Sequence, residues 1–274
     1  MTDNTPNAGS RRQEMPFYSA IATNSFLPYV QFFSVSENQV RIPSLGAITV
    51  GKETNWDLNP TPQGAAAGPG LVPIDCEPYK CIVAIGDMLL KGIPGLGEKV
   101  RMQMFEAQMA HSGMVINDLI TGASSGVKEE TITVADVADS GKVVDALADM
   151  MAQTSAAQRT TGRPVFCVNP TIHSAIAKDS RNGGSAAYNA ATGEYILHGH
   201  PVVLSDNVDV GVAANDFPAI FGNFNRGVAL AMWSSNGISE YEQTKPGGIV
   251  FYSAEVYGVG ILEGGALVRL KVVA

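Results

Sequence analysis

At 274 residues, with 45% apolar and 16% charged side chains, the chain can bury the core of one large domain or two medium ones, which excludes disorder throughout. Its formal charge of −8 argues against an electrostatic grip on nucleic acid, which needs clustered Lys and Arg; Arg11-Arg12 is the only adjacent basic pair. There is no apolar run of about 18 residues, and residues 1–16 are polar and hold Pro6 and Pro16, so neither a membrane span nor a secretory signal is predicted and the product is expected to stay in the cytosol.

Residues 1–16 read as an unstructured arm. Phe17, Tyr18, Phe26, Tyr29, Phe32 and Phe33 then concentrate aromatics near the terminus, either as an arm that needs a surface to lie on or as an ordinary first strand, Phe26 to Val35. Gln39 to Pro43 and Ala47 to Val50 read as extended, and Leu71 to Ile74 returns as a strand. Between them, Lys52 to Gly70 is a loop of 19 residues rich in Gly, Pro, Asn and Ala, far beyond the usual two to six. It carries Trp56, whose indole is expected either to meet a partner or to fold back on its own hairpin. Cys76, Cys81 and Cys167 have no ligand spacing and lie in or beside apolar runs, so they read as buried thiols.

From Ile93 the period becomes helical. Pro94 suits a first turn, Leu96, Val100, Met104, Ala107, His111, Met114 and Asp118 follow at steps of three and four, and Gly122 suits a C-cap. The result is one helix of about 26 residues, near 39 Å long at 1.5 Å per residue. A mixed unit follows, from about Thr131 to Ala229. It comprises a strand, a helix from Gly141 to about Gln158, a buried strand from Val165, a helix from Thr171 to Lys178, a strand pair at 195–197 and 201–204, and a further pair at 219–221 and 227–230 expected to complete the same sheet. The closing residues Val268, Leu270 and Val272 alternate with Arg269 and Lys271, the period-2 pattern of a half-buried strand.

No catalytic constellation emerges. Gly122-Ala123-Ser124-Ser125-Gly126 matches G-x-S-x-G, but a helix precedes the serine where a nucleophile elbow needs a strand. His198-Gly199-His200 has no cysteine or carboxylate close by and reads as a turn. Gly258 to Gly264 misses the dinucleotide spacing and opens no helix. No Walker loop is present, and Asp206, Asp209 and Asp216 sit in turn contexts. Neither a cofactor nor a metal site is expected.

Three segments carry a resemblance. Gly199-His200-Pro201-Val202-Val203-Leu204-Ser205-Asp206-Asn207 is similar to a "G-x-P-V-x-x-S-D" strand, and Ala219-Ile220-Phe221-Gly222-Asn223-Phe224 to an "FGDF" turn with Asn223 in place of the acid. Gly248 to Ala254 resembles the strand before a closing "A-x-R-x-G" segment, whose arginine is missing from Glu255-Val256-Tyr257-Gly258. Together with the element order, these resemble the Hong Kong 97-type major capsid protein of tailed bacteriophages, from about Phe26 to Ala274.

The resemblance implies an α+β fold with an N-arm (1–36), an extended E-loop (37–76), a peripheral P-domain built on a long spine helix (77–130 and 231–274) and an axial A-domain (131–230). It implies a structural protein with no catalysis. Its copies would join through hexamers and pentamers into the icosahedral head of a virion, assembled in the host cytoplasm and enclosing double-stranded DNA without sequence-specific binding. Trp56, Lys52, Phe26, Tyr29, Phe32 and Phe33 would be the inter-subunit contacts of E-loop and arm. Portal and decoration proteins are the partners such a shell can take. No scaffolding segment is expected before Met1, so a separate scaffolding protein is expected; a Lys52 to Asn236 cross-link is not. The rival readings are an encapsulin-type nanocompartment shell and a serine hydrolase using Ser124 with His173, His198 or His200.

Overall fold

The computed structural model describes residues 25–35, 39–44, 70–160, 162–179, 186–189, 194–233, 238–243 and 248–274. In chain order the elements are β1 (Gln31–Val35), β2 (Gln39–Ser44), β3 (Gly70–Asp75), β4 (Glu77–Gly86), α1 (Asp87–Gly92), α2 (Leu96–Thr121) and β5 (Lys128–Thr133). Next come α3 (Ser140–Gln153), α4 (Ala156–Thr160), β6 (Val165–Val168), α5 (Pro170–Lys178), β7 (Ala186–Asn189), β8 (Glu194–Leu197) and β9 (His200–Leu204). The chain closes with β10 (Ala219–Gly222), α6 (Phe224–Gly227), β11 (Val228–Trp233), β12 (Ile238–Gln243), β13 (Gly248–Ile261) and β14 (Leu267–Val273). The expected extended stretch Ala47 to Val50 lies outside the described residues, as does the loop that follows it.

The strands form three sheets. One of seven strands runs β5-β14-β10-β6-β9-β8-β7, one of five is organised on β13, and β2 pairs with β3 as an antiparallel ribbon. β13 is long enough to serve two neighbourhoods. Residues 248–257 pair with β4, while residues 257–261 pair with β11, which in turn takes β1 in parallel.

Amphipathic helices cover one face of the seven-stranded sheet. In α3 the buried residues Val143, Val144, Leu147 and Met150 fall on one stripe, and Asp139 caps the helix by accepting from the Gly141 N–H at 2.9 Å. In α5, Pro170 takes the first turn and Asn169 accepts from the Ile172 N–H at 2.8 Å. Their apolar stripes meet Phe166, Val168, Phe221, Val268, Leu270 and Val272. The alternate side chains of the same strands, Val165, Cys167, Ile220 and Leu267, face the other way and pack with Ile116 and Ile120 of α2. β6 and β10 are therefore buried on both faces, which is why they read as unbroken apolar runs.

α2 spans both large sheets. Its first half packs Val100 and Met104 on Phe251 of β13, and its second half packs Met109, Ile116 and Ile120 behind the seven-stranded sheet. On the opposite face of β13 lies the β2–β3 ribbon. Gly258 and Gly260 let it approach closely: a Cβ at Gly258 would stand 2.3 Å from the Asp75 carbonyl oxygen.

Several expectations need correction. The predicted helix from Gly141 to Gln158 breaks at Thr154, because Ser155 and Gln158 form a reciprocal cap, each side chain bonding the other's backbone N–H at 3.2 Å, and start α4. Residues 228–233 do not complete the sheet of β10; the short turn of α6 carries them into the five-stranded sheet between β1 and β13. Leu267–Val273, grouped by the resemblance with the P-domain, lies inside the seven-stranded sheet between β5 and β10. Pro94 precedes the first turn of α2, whose N-cap is Gly95 with φ 77°.

Gly122 is the C-cap of α2 as expected, but its φ of −58° leaves it outside the left-handed conformation that usually closes a helix. Arg269 closes it instead. From the strand face behind β14, one Arg269 nitrogen donates to the carbonyls of Ile120, Thr121 and Gly122 at 3.0, 2.6 and 2.9 Å. The rest of the guanidinium forks onto one Glu129 carboxylate oxygen at 3.2 and 3.0 Å. The Phe217 ring lies 4.7 Å from the guanidinium carbon. Truncating Arg269 to Ala leaves three carbonyls and a half-buried carboxylate without their donor and is expected to lower unfolding stability by about 3 kcal/mol. Urea denaturation checks this, and Arg269→Lys should recover little of the loss, since an ammonium cannot fork.

Candidate functional site: the seams of the long helix and the apolar surface beside them

Two seams fix α2. Along the first, every second residue of β13 points at the helix, giving the row Ile249, Phe251, Ser253, Glu255, Tyr257, the last three of them polar. Ser253 donates to the side-chain carbonyl of Gln108 at 2.8 Å, and the Tyr257 hydroxyl meets His111 Nδ1 at 2.5 Å. Tyr79 of β4 stacks on Tyr257 at 4.4 Å between ring centroids and on His111 at 4.6 Å. Burial pushes the Tyr257 hydroxyl well above the usual phenol range, helped by Tyr79 and Glu255. Glu255 stands near the place where the resemblance leads one to look for an arginine. It is only 6% exposed, and burial lifts its carboxyl to about 7.

The second seam explains the Ser205-Asp206-Asn207 motif. Asn207 donates to the Ala110 carbonyl of α2 at 3.3 Å and accepts from the Ser25 N–H at 3.2 Å, and the Ser205 hydroxyl meets the Ser25 hydroxyl at 2.5 Å. Gly113 supplies the notch: a Cβ there would stand 2.5 Å from the Asn207 amide. Asn169 then ties down the rest of this loop by donating to the carbonyls of Asp209, Val210 and Gly211 at 2.9, 3.2 and 3.2 Å. In the second motif Gly222 has φ 149°, and a Cβ there would stand 2.2 Å from the Ala266 carbonyl oxygen. The following Asn223 N–H donates to that same carbonyl at 3.1 Å.

The residues expected at subunit contacts separate. Phe26 is wholly buried against Phe224, 5.4 Å between ring centroids, so the chain's own core already takes the side chain that was assigned to a neighbour. Tyr29 and Phe33 are half-buried against the same body, and Phe32 is 53% exposed on the outward side of β1. Trp56 and Lys52 lie outside the described residues, as does Asn236. Sequence reasoning missed β4 and α1, where exposed apolar side chains gather: Ile82 at 60%, Met88 at 87%, Leu89 at 57% and Ile93 at 46%. The signal was present as a near-continuous apolar run from Cys81 to Leu90.

The candidates for chemistry stay apart from one another. Ser124 is an exposed turn residue between the end of α2 and β5, the reverse of the strand-to-helix order an elbow requires. His173 packs edge-on to Tyr195 and His200 to Phe221; burial lowers the pKa of both imidazoles. His198 and Gly199 form the tight turn between β8 and β9, both with positive φ. Burial raises the pKa of all three thiols. Among the described residues no group of three His, Cys, Asp or Glu side chains is placed to hold a metal, and no helix is long and apolar enough to cross a membrane. An open groove of about 490 Å³ between the start of α3 and α5 has Lys178 as its one charged lining residue.

A five-stranded and a seven-stranded sheet joined by one long helix, with a ribbon packed on the strand behind, make the Hong Kong 97-type capsid fold. The capsid of an empty GTA particle superposes with a TM-score of 0.66 at 14% identity, covering 99% of this chain and 96% of that one. The corresponding values are 0.63, 15%, 98% and 93% for Mycobacterium phage Che8, and 0.56, 13%, 93% and 95% for the virus-like particle from Pyrococcus furiosus. The family model described as Phage capsid family matches residues 107–272, more than half of the sequence. The chain belongs to the phage capsid family, a family of structural proteins. No curated protein is similar enough in sequence to match.

The Gly113 notch yields a test. In an ordinary helix interior Gly→Ala gains close to 1 kcal/mol. Here the added methyl meets an amide pinned by its hydrogen bonds to both sides of the seam, so Gly113→Ala is expected to lose roughly 1 to 2 kcal/mol in chemical denaturation.

Proposed function

We propose that this chain is a major capsid protein whose copies join as hexamers and pentamers into the closed icosahedral shell around the double-stranded DNA of a tailed phage. The observation that carries the reading is the exposed apolar surface from Ile82 to Ile93, which a lone subunit leaves in water and a shell would cover. The family supports the same reading, and so does a likeness to capsid subunits that runs along nearly the whole chain.

In this reading residues 1–36 are the N-arm and 37–76 the E-loop, with Trp56 and Lys52 laid on a neighbour and Phe32 offered from the arm. The P-domain is 77–130 with the chain from 231 onward, and the A-domain is 131–230; the strand Leu267–Val273 is shared with the A-domain's sheet. The subunit does its work by burying area rather than by catalysis. The charge of −8 suits a container that must enclose a polyanion without adhering to it. A separate scaffolding protein directs assembly in the host cytoplasm. The likeness to the Pyrococcus furiosus virus-like particle keeps a nanocompartment shell as the second reading.

Negative-stain microscopy with size-exclusion chromatography tests the proposal. Closed shells are expected from a producing culture, and their nucleic-acid content separates virus head from nanocompartment. A protein that stays monomeric or dimeric under both expression and purification overturns it. Met88→Glu and Ile82→Glu should leave far-ultraviolet circular dichroism unchanged and abolish closed particles, because each puts a charge into apolar area that assembly would bury.

A further inference from the structure

The polar row between α2 and β13 holds two buried groups whose bonding is incomplete. Gln108 is 5% exposed; its carbonyl oxygen accepts from Ser253, and its amide Nε2 has no hydrogen-bond partner. Glu255 is 6% exposed, and its Oε2 has no partner either. One is an unmet donor and the other an unmet acceptor. Ser253 and Glu255 share a strand face two residues apart, a separation of about 7 Å along an extended chain. Buried polar atoms in native cores are nearly always satisfied, so this pairing of opposites needs a reason.

Among the described residues no cation forms an ion pair with Glu255. On its own strand the next residue of the row is Tyr257. From β4, Tyr79 sits opposite Glu255 and Glu77 opposite Tyr257. From α2 come His111, whose Nδ1 is engaged by the Tyr257 hydroxyl, and Arg101, which lies toward the start of the helix over Phe251, 5.9 Å from its ring centre. β12 ends its pairing at Ser253 and β11 begins at Tyr257. On the far side of the sheet Lys80 sits opposite Ala254, and the Asp75 backbone meets Gly258. A carboxylate here is buried beside two phenols, and a neutral carboxyl fits the site better.

We propose that Glu255 is a buried proton-binding site, and that its ionisation loosens the seam between α2 and β13. With the carboxyl protonated, no charge is buried in the row and Gln108 keeps its bond to Ser253. With the carboxyl ionised, the unmet amide of Gln108 turns toward it at the cost of the bond to Ser253. The sign follows from burial, which lifts the carboxyl from its ordinary 4.5 to about 7. Stability from this group is complete below about pH 4.5, falls as pH rises, and has been lost once pH exceeds about 7. Each copy of the chain brings one such site, so an assembly of many copies answers to pH with many seams together.

The test is the thermal midpoint of the full-length protein between pH 5 and pH 8.5, in wild type, Glu255→Gln and His111→Gln. The wild type is expected to lose several degrees across this window, Glu255→Gln to hold its midpoint nearly level, and His111→Gln to keep the wild-type slope. Equal slopes in wild type and Glu255→Gln overturn the proposal, as does a slope lost only in His111→Gln. Should Glu255→Gln fail to fold, infrared difference spectra of the wild type decide. A protonated-carboxyl carbonyl band that disappears between pH 6 and pH 8 supports the site, and its absence refutes it.

Discussion

The architecture depends on how the far end of α2 is closed. A helix of 26 residues ends with orphan carbonyls and partial negative charge, and here the last turn is half-buried, with Ile120 wholly so. Arg269 meets that need from a strand distant in sequence, and the same guanidinium reaches Glu129 of β5. One side chain therefore joins the helix end, the strand after it and the closing strand. With that joint made, β14 is held in register between β5 and β10, and the seven-stranded sheet has its place behind the helix. Lys271 adds a weaker contact to Glu129 at 3.6 Å, on the same strand face.

Because α2 is gripped on both sides, its composition is unusual for a surface helix. Buried positions at Val100, Met104, Gln108, Ser112, Ile116 and Ile120 wind round the helix instead of forming one stripe. The first half faces β13 and the second faces the other sheet, so the apolar face rotates along the length. Small and polar residues occupy the turns between. Gly113 admits Asn207, and Gln108 and His111 join the polar row of β13. Close packing and polar pairing thus divide the work of one element, and helix propensity is subordinate to both.

Much of this was legible in the sequence. Steps of three and four gave the long helix and Gly122 its far end, though Ile93 and Pro94 placed its start a turn early, and short apolar runs marked β6, β9 and β10. What could not be read was pairing. Residues 219–222 and 228–233 look like two strands of one sheet, yet the strained turn at Gly222 and the short α6 send them to different sheets, and only the Ala266 backbone explains why. The break at Thr154 had a local signature in Ser155 and Gln158, which the apolar period through Met150 and Met151 concealed. The seams had half a signature. A glycine inside a helix hints at close approach, but nothing local says that Asn207 fills the notch. Arg269 looked like the solvent face of a half-buried strand, since alternation cannot show that the opposite face is covered. Phe26 misled for a related reason, because aromatics near a terminus look alike whether a neighbour or the chain's own core receives them.

The position of β14 sets a clock on the subunit. β5 is translated by residue 133, but the strand it pairs with begins at residue 267. At 5 to 20 residues per second, the intervening stretch keeps an unfinished sheet waiting on the order of ten seconds. During that interval α3, β6 and α5 have emerged without the strand that sits between β5 and β10, and the end of α2 has no arginine to close it. A partly synthesised chain therefore lacks both the finished sheet and the fixed helix end. Completion of the seven-stranded sheet and closure of the helix end arrive together, with Leu267–Val273.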